Sequence, residues 1–181
     1  MDMKTRGFTL IELLVVIAII GLLSSIVLAA LNTARGKAKD AAIQSDLDTI
    51  RTQAELFRKT DGACYPGITG NCATVSAFTV VNPANSVCTV TTSNTLCSQP
   101  GIQRAFAGAM DASGGFGSGG LASFQTPIGA GSYAVAVRLV ADKALAWCVD
   151  SAGRSLALGT PGGADMTQAA INAFTADSEC D

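Results

Sequence analysis

Residues 13–34 read LLVVIAIIGLLSSIVLAALNTA, a predominantly apolar run without one charge. A helix needs about 20 such residues to cross the hydrocarbon core of a bilayer. In lipid a lone segment satisfies its backbone only as a helix. The apolar core of an ordinary secretory signal is shorter, about 7 to 15 residues. The nearest approach to a small-residue cleavage site, Ala29-Ala30-Leu31, sits inside the run. The run therefore predicts a membrane-spanning helix, and the rest of the chain has to be arranged around it.

Basic residues flank the run on both sides: Lys4 and Arg6 before it, and Arg35, Lys37 and Lys39 after it. The positive-inside rule alone does not orient it. Six cysteines, at 64, 72, 88, 97, 148 and 180, break the tie, because they favour an oxidising compartment for everything after the run. None of them forms a C-x-x-C, so zinc and thioredoxin-like spacings are missing. Six cysteines allow fifteen pairings. Loop proximity makes Cys64–Cys72, Cys88–Cys97 and Cys148–Cys180 the simplest set, with free buried thiols as the alternative.

Glu12 stands at the head of the apolar stretch. An ionisable residue at the centre of a bilayer costs about 2.5–3.5 kcal/mol on insertion scales. Either Glu12 has a task, or it snorkels to the headgroups from the helix end. Composition leaves both open.

The segment Arg6-Gly7-Phe8-Thr9-Leu10-Ile11-Glu12-Leu13 resembles the processing site of type IV prepilins and type II secretion pseudopilins. The resemblance extends over about residues 4 to 31, with Gly21 matching a helix glycine common in that family. It implies that the prepilin peptidase cuts between Gly7 and Phe8 and methylates the new Phe8 amine. It also implies that Glu12 of an incoming subunit pairs with the Phe8 amine of a neighbour. A buried carboxylate needs such a partner. The sequence departs from many type IVa pilins at Ala29, where they carry a kinking proline, so a straighter helix is expected there.

Past the run, Ile43, Leu47, Ile50, Ala54 and Phe57 recur at helical spacing, with Asp40, Asp46, Asp48, Arg51, Glu55 and Arg58 on other faces. Gly62 follows as a stop. A helix from Phe8 to about Lys59 would be roughly 78 Å long. Residues 62–103 carry no charge and are rich in Thr, Ser, Asn and Gly. They read as a stapled loop region with short strands near 77–81 and 87–91. A short helix is expected over 103–110, and a flexible glycine loop over 113–120. That loop lacks the G-K-[ST] ending of a phosphate-binding loop. Strands are expected over 133–140, 144–149 and 154–158, separated by turns at Asp142-Lys143 and Asp150-Ser151-Ala152-Gly153. A last helix is expected over 167–174. Trp147 reads as a core or sheet-face residue.

Histidine is absent, which removes the commonest general base and metal ligand. No Ser-His-Asp or Cys-His arrangement can form. Asp111, Asp142, Asp150 and Asp165 are the carboxylates available to calcium. They lack EF-hand spacing and read as solvated turn aspartates. The resemblance adds that major pseudopilins often hold calcium near a C-terminal loop whose usual stretch is missing here. The net charge of −2 and scattered basic residues point away from nucleic acid.

The expectation is thus an α+β chain. A long N-terminal transmembrane helix packs on a small antiparallel, disulfide-stapled sheet, the pilin fold. Residues 1–7 would be a cleaved leader, 8–34 the transmembrane and assembly half of the helix, and 35–181 the head. The resemblance implies a non-enzymatic filament subunit without cofactor or metal. Its partners would be copies of itself, prepilin peptidase, the inner-membrane assembly machinery and, before assembly, membrane lipid. It would cross the inner membrane once with the head outside, then join an extracellular or periplasmic filament. A secretion pseudopilin and a membrane-anchored binding domain that never polymerises are the alternatives.

Overall fold

A computed structural model of the protein describes residues 8–56, 58, 78–79, 99–115, 120–126, 132–175 and 179–180. Helix α1 runs Leu10–Leu56, α2 Pro100–Ser113 and α3 Gln168–Phe174. The strands are β1 Phe78–Thr79, β2 Ala122–Thr126, β3 Ala134–Arg138, β4 Leu145–Asp150 and β5 Ser155–Gly159. They form one antiparallel meander in the order β1-β2-β3-β4-β5. The chain divides into two compact units, Met1–Gly36 and Lys37–Asp181. The first consists, where described, of the apolar stretch of α1, and the second contains the sheet.

In the second unit the expected stripe is the buried face of α1: Ile43, Leu47, Ile50 and Ala54 are fully buried. They share one core with Ile102, Phe106 and Met110 of α2 and with Tyr133, Val135, Val137 and Val149 of the sheet. Phe57, the last residue of the expected stripe, lies outside the described residues. The opposite sheet face, Ala134, Ala136, Ala146, Cys148 and Leu158, packs with Met166, Ile171 and Cys180. Strand β3 therefore separates small residues on one side from Val135 and Val137 on the other. Both faces are covered, and the head is a three-layer α/sheet/α stack. Trp147 is half-buried against the α1 side, as a sheet-face residue.

Charged residues on the other faces of α1 hold the ends of the meander. The Asp40 carboxylate accepts from the Val140 amide at 2.6 Å and from the Ala141 amide at 3.2 Å, at the β3–β4 turn. Arg51 donates to Gly153 O at 3.3 Å and Ser155 Oγ at 3.0 Å, at the β4–β5 turn. Eleven helical residues rise about 16 Å. A six-residue strand rises about 20 Å. The spacing of Asp40 and Arg51 thus nearly matches the length of β4.

Helix α2 is longer than expected, starting at Pro100 and ending at Ser113. Proline at its first position lacks the N–H that no helical partner would meet. Two glycines let it approach α1. A Cβ on Gly101 would lie 2.9 Å from Gln53 Oε1, and one on Gly108 would lie 2.7 Å from Asp46 Oδ2. Strand β2 was not expected at all. It pairs with β3, and α3 fastens it: Gln168 Nε2 donates to Ala122 O at 2.7 Å, and the Thr175 hydroxyl to buried Ser123 Oγ at 2.9 Å. Strands β3 to β5 and α3 lie where expected, with Thr167 capping α3 through the Ala170 amide at 3.2 Å. The expected strand at 87–91 falls outside the described residues, while β1 covers two residues of the one at 77–81. Helix α1 stops at Leu56, three residues before the expected end.

Candidate functional site

The first turn of α1 gathers the site that the sequence singled out. Thr9 precedes the helix, and Glu12 is its third residue. The Thr9 amide donates to Glu12 Oε2 at 2.9 Å, and the Thr9 hydroxyl to the same oxygen at 2.8 Å. The Glu12 amide returns a bond to Thr9 Oγ1 at 3.3 Å. This is a capping box, in which two end-of-helix donors are met reciprocally. Thr9-Leu10-Ile11-Glu12 carries the T-x-x-E signature of that motif, so the cap was legible in the sequence, although the expectation for Glu12 rested on its charge and on the resemblance to prepilins and not on capping. Phe8 lies beside it, 86% exposed. Gly7 lies outside the described residues.

Chemically, the box holds a carboxylate at the head of an apolar helix. A cut before Phe8 would leave the Thr9 amide in place, so the cap survives such a cut. The following stretch is the only part of α1 whose large apolar side chains all face outward, from Leu10 at 78% to Leu31 at 41% exposed. Its 18-residue window has a mean hydropathy of 2.9 with none of it buried. By length and composition α1 can cross a membrane. Within it Ser25 donates to Leu22 O at 2.8 Å and Thr33 to Ala29 O at 3.4 Å, so these hydroxyls are met inside the helix. Gly21 has open space around it.

The second candidate set was the cysteines. Cys148 and Cys180 form a disulfide with Cα atoms 5.8 Å apart, tying the tail to β4. Cys64, Cys72, Cys88 and Cys97 lie outside the described residues.

Asp150 corrects the expectation of solvated turn aspartates. It is fully buried beside the disulfide. Its carboxylate accepts from the Arg154 amide at 2.9 Å and the Cys180 amide at 3.1 Å, and pairs with Arg154 Nε at 3.2 Å. Arg154 also donates to Cys180 O at 3.3 Å and pairs with Glu179. The carboxylate therefore fastens the tail instead of facing water. Asp142 does act locally, accepting from the Ala144 amide at 3.0 Å and the Gly162 amide at 2.9 Å. Asp111 and Asp165 are exposed. Among the described residues no three His, Cys, Asp or Glu side chains come together as a metal site. Asp46, pressed against α2, has its carboxyl held above the usual range because burial penalises the charged form.

Residues 2–28 match the family described as the prokaryotic N-terminal methylation motif. The chain is 38% identical over 66 residues to the type II secretion system core protein G of Dickeya chrysanthemi, covering 36% of this chain and 42% of that one. It is 36% identical over 69 residues to the type IV major fimbrial protein FimA of Dichelobacter nodosus, covering 36% of this chain and 44% of that one. The chain thus spans less than half the length of these curated relatives. No solved structure matches it. A methylation motif on an outward-facing apolar helix thus leads into a disulfide-tied α+β head, and over about a third of its length the chain is similar to a secretion-system core protein and a fimbrial protein.

Proposed function

We propose that the chain is a structural subunit of a type IV pilus-like filament and not an enzyme. In this reading prepilin peptidase removes residues 1–7 and methylates Phe8. The helix then waits in the inner membrane as a single span, with the head outside. Assembly machinery in that membrane moves it into a filament of copies, extracellular or periplasmic. One observation carries the reading: the apolar side chains from Leu10 to Leu31 stay outside the protein's own core, while a single carboxylate sits at their head. A surface of that kind requires lipid or other helices around it. Extraction from lipid exposes it, and packing against copies covers it again. Glu12 gives the packing a register, since a neighbour's Phe8 amine neutralises it in a medium where an unpaired charge is costly.

Mass spectrometry of intact protein from native cells tests the processing step. The expected chain begins at N-methyl-Phe8, and Gly7→Leu is expected to leave the leader attached. A chain that keeps Met1 to Gly7 in cells with active peptidase would favour the anchored domain that never polymerises.

Similarity to core protein G of a type II secretion system supports a second reading, a pseudopilin in a short periplasmic filament. Deleting the chain separates the two. Loss of surface filaments with intact protein export fits the pilin, and the reverse fits the pseudopilin.

A further inference from the structure

We propose that the pole of the head at which α1 leaves the apolar stretch is a docking surface for anionic lipid headgroups. The inference rests on the membrane-anchored state of the proposed function. Lys37 and Lys39, at the start of the second unit, follow the uncharged run within five residues, and both are exposed. The fold adds a cation that sequence proximity does not. Asp40 binds the Val140 and Ala141 amides, which brings the β3–β4 turn, with exposed Lys143, to this end of α1. Lys37 lies three positions before Asp40, so their Cβ atoms are about 5–6 Å apart.

The carboxylates of this pole are turned inward. Asp40 faces turn amides, and Asp142 faces the amides of Ala144 and Gly162. Asp165 is the remaining exposed carboxylate nearby, placed by the Met166 amide donating to Lys143 O at 2.8 Å. The ammonium groups of Lys37, Lys39 and Lys143 therefore dominate the outward surface, in a chain whose net charge is −2. Phosphodiester headgroups match it, because cations close to an anionic bilayer surface each strengthen association. Binding would hold the head against the bilayer before assembly and would be relinquished on extraction.

The test uses the full chain in vesicles of phosphatidylcholine, with or without a quarter phosphatidylglycerol. Spin-labelled versions of the two lipids report their relative association with the protein. Phosphatidylglycerol is expected to be preferred, the preference falling about fivefold for each cation removed and collapsing at high salt. Lys143→Gln is the decisive variant, since Lys143 belongs to the head and reaches the bilayer only if the pole docks. Lys37→Gln with Lys39→Gln reports the helix cations separately. Equal association of both lipids overturns the proposal, and so does an unchanged preference in Lys143→Gln. Protection of Lys143 from acetylation in filaments but not in vesicles would assign the pole to a second copy, and also overturns it. A chain that co-floats with neither vesicle would sink the anchored reading itself, and this inference with it.

Discussion

Two stretches of α1 follow the same helical rules and end in opposite environments. Between Leu10 and Leu31 the large apolar residues are 41–78% exposed, whereas Ile43, Leu47, Ile50 and Ala54 are at 0%. The second stretch concentrates its apolar residues on one stripe, which the sheet and α2 cover. The first is apolar all round, and no single packing face inside this chain could bury it. An amphipathic helix is completed by its own chain. A helix that is apolar on every side calls for a different solvent or other molecules. One helix thus carries both the folding core and the surface proposed for assembly.

That contrast predicts that each stretch can be broken without the other. Glu12→Ala should lower filament yield at least about thirtyfold, the equivalent of about 2 kcal/mol for one charge left unpaired. Head unfolding should not change. Glu12→Gln sharpens the test, because glutamine also closes a capping box but carries no charge. Electron microscopy that found normal filaments with Gln would reduce Glu12 to a cap.

Leu47→Ala should do the opposite, destabilising the head by about 2–5 kcal/mol while membrane insertion continues. Thermal unfolding of the head with parallel membrane fractionation checks this. An unchanged melting temperature would mean that the stripe is not the core. Replacing both Cys148 and Cys180 with Ser should cost about 3 kcal/mol, because the bridge closes a long loop across a sequence separation of 32. Denaturant midpoints compared with the parent under oxidising conditions measure it.

Asp40→Ala should cost about 1 kcal/mol by leaving two turn amides without their acceptor. Hydrogen exchange should quicken at Val140 and Ala141 and stay unchanged around Gly153, which Arg51 holds.

The smallest effect expected is at Asp46. Its folded-state carboxyl is raised above the ordinary value of 3.8 by burial. A raised folded value means that the folded head binds the proton more tightly than the unfolded chain. Stability from this group is therefore full below 3.8 and is lost as pH rises through the folded value. Asp46→Asn should slightly stabilise the head at neutral pH and flatten that slope. Melting temperatures across the acidic range would reveal it, and a destabilised variant at neutral pH would contradict it.

What the sequence determined by itself was whatever depends on neighbours along the chain. The membrane-length run, the stripe from Ile43 to Ala54, the β3–β5 meander and the T-x-x-E cap are all local patterns with a fixed period or spacing. The short range of helical and turn hydrogen bonds is the physical reason. Tertiary structure alone decided the rest. Strand β2, Ala-Ser-Phe-Gln-Thr, has no strong strand pattern and is secured by Gln168 and Thr175 more than forty residues away. Asp150 looks like an ordinary turn aspartate until Cys180, thirty residues later, returns its amide to it. Asp40 and Arg51 look like solvated charges until the two turns of the meander arrive beside them. A polar side chain is buried or solvated according to its partner, and distant partners exist only after the chain has folded.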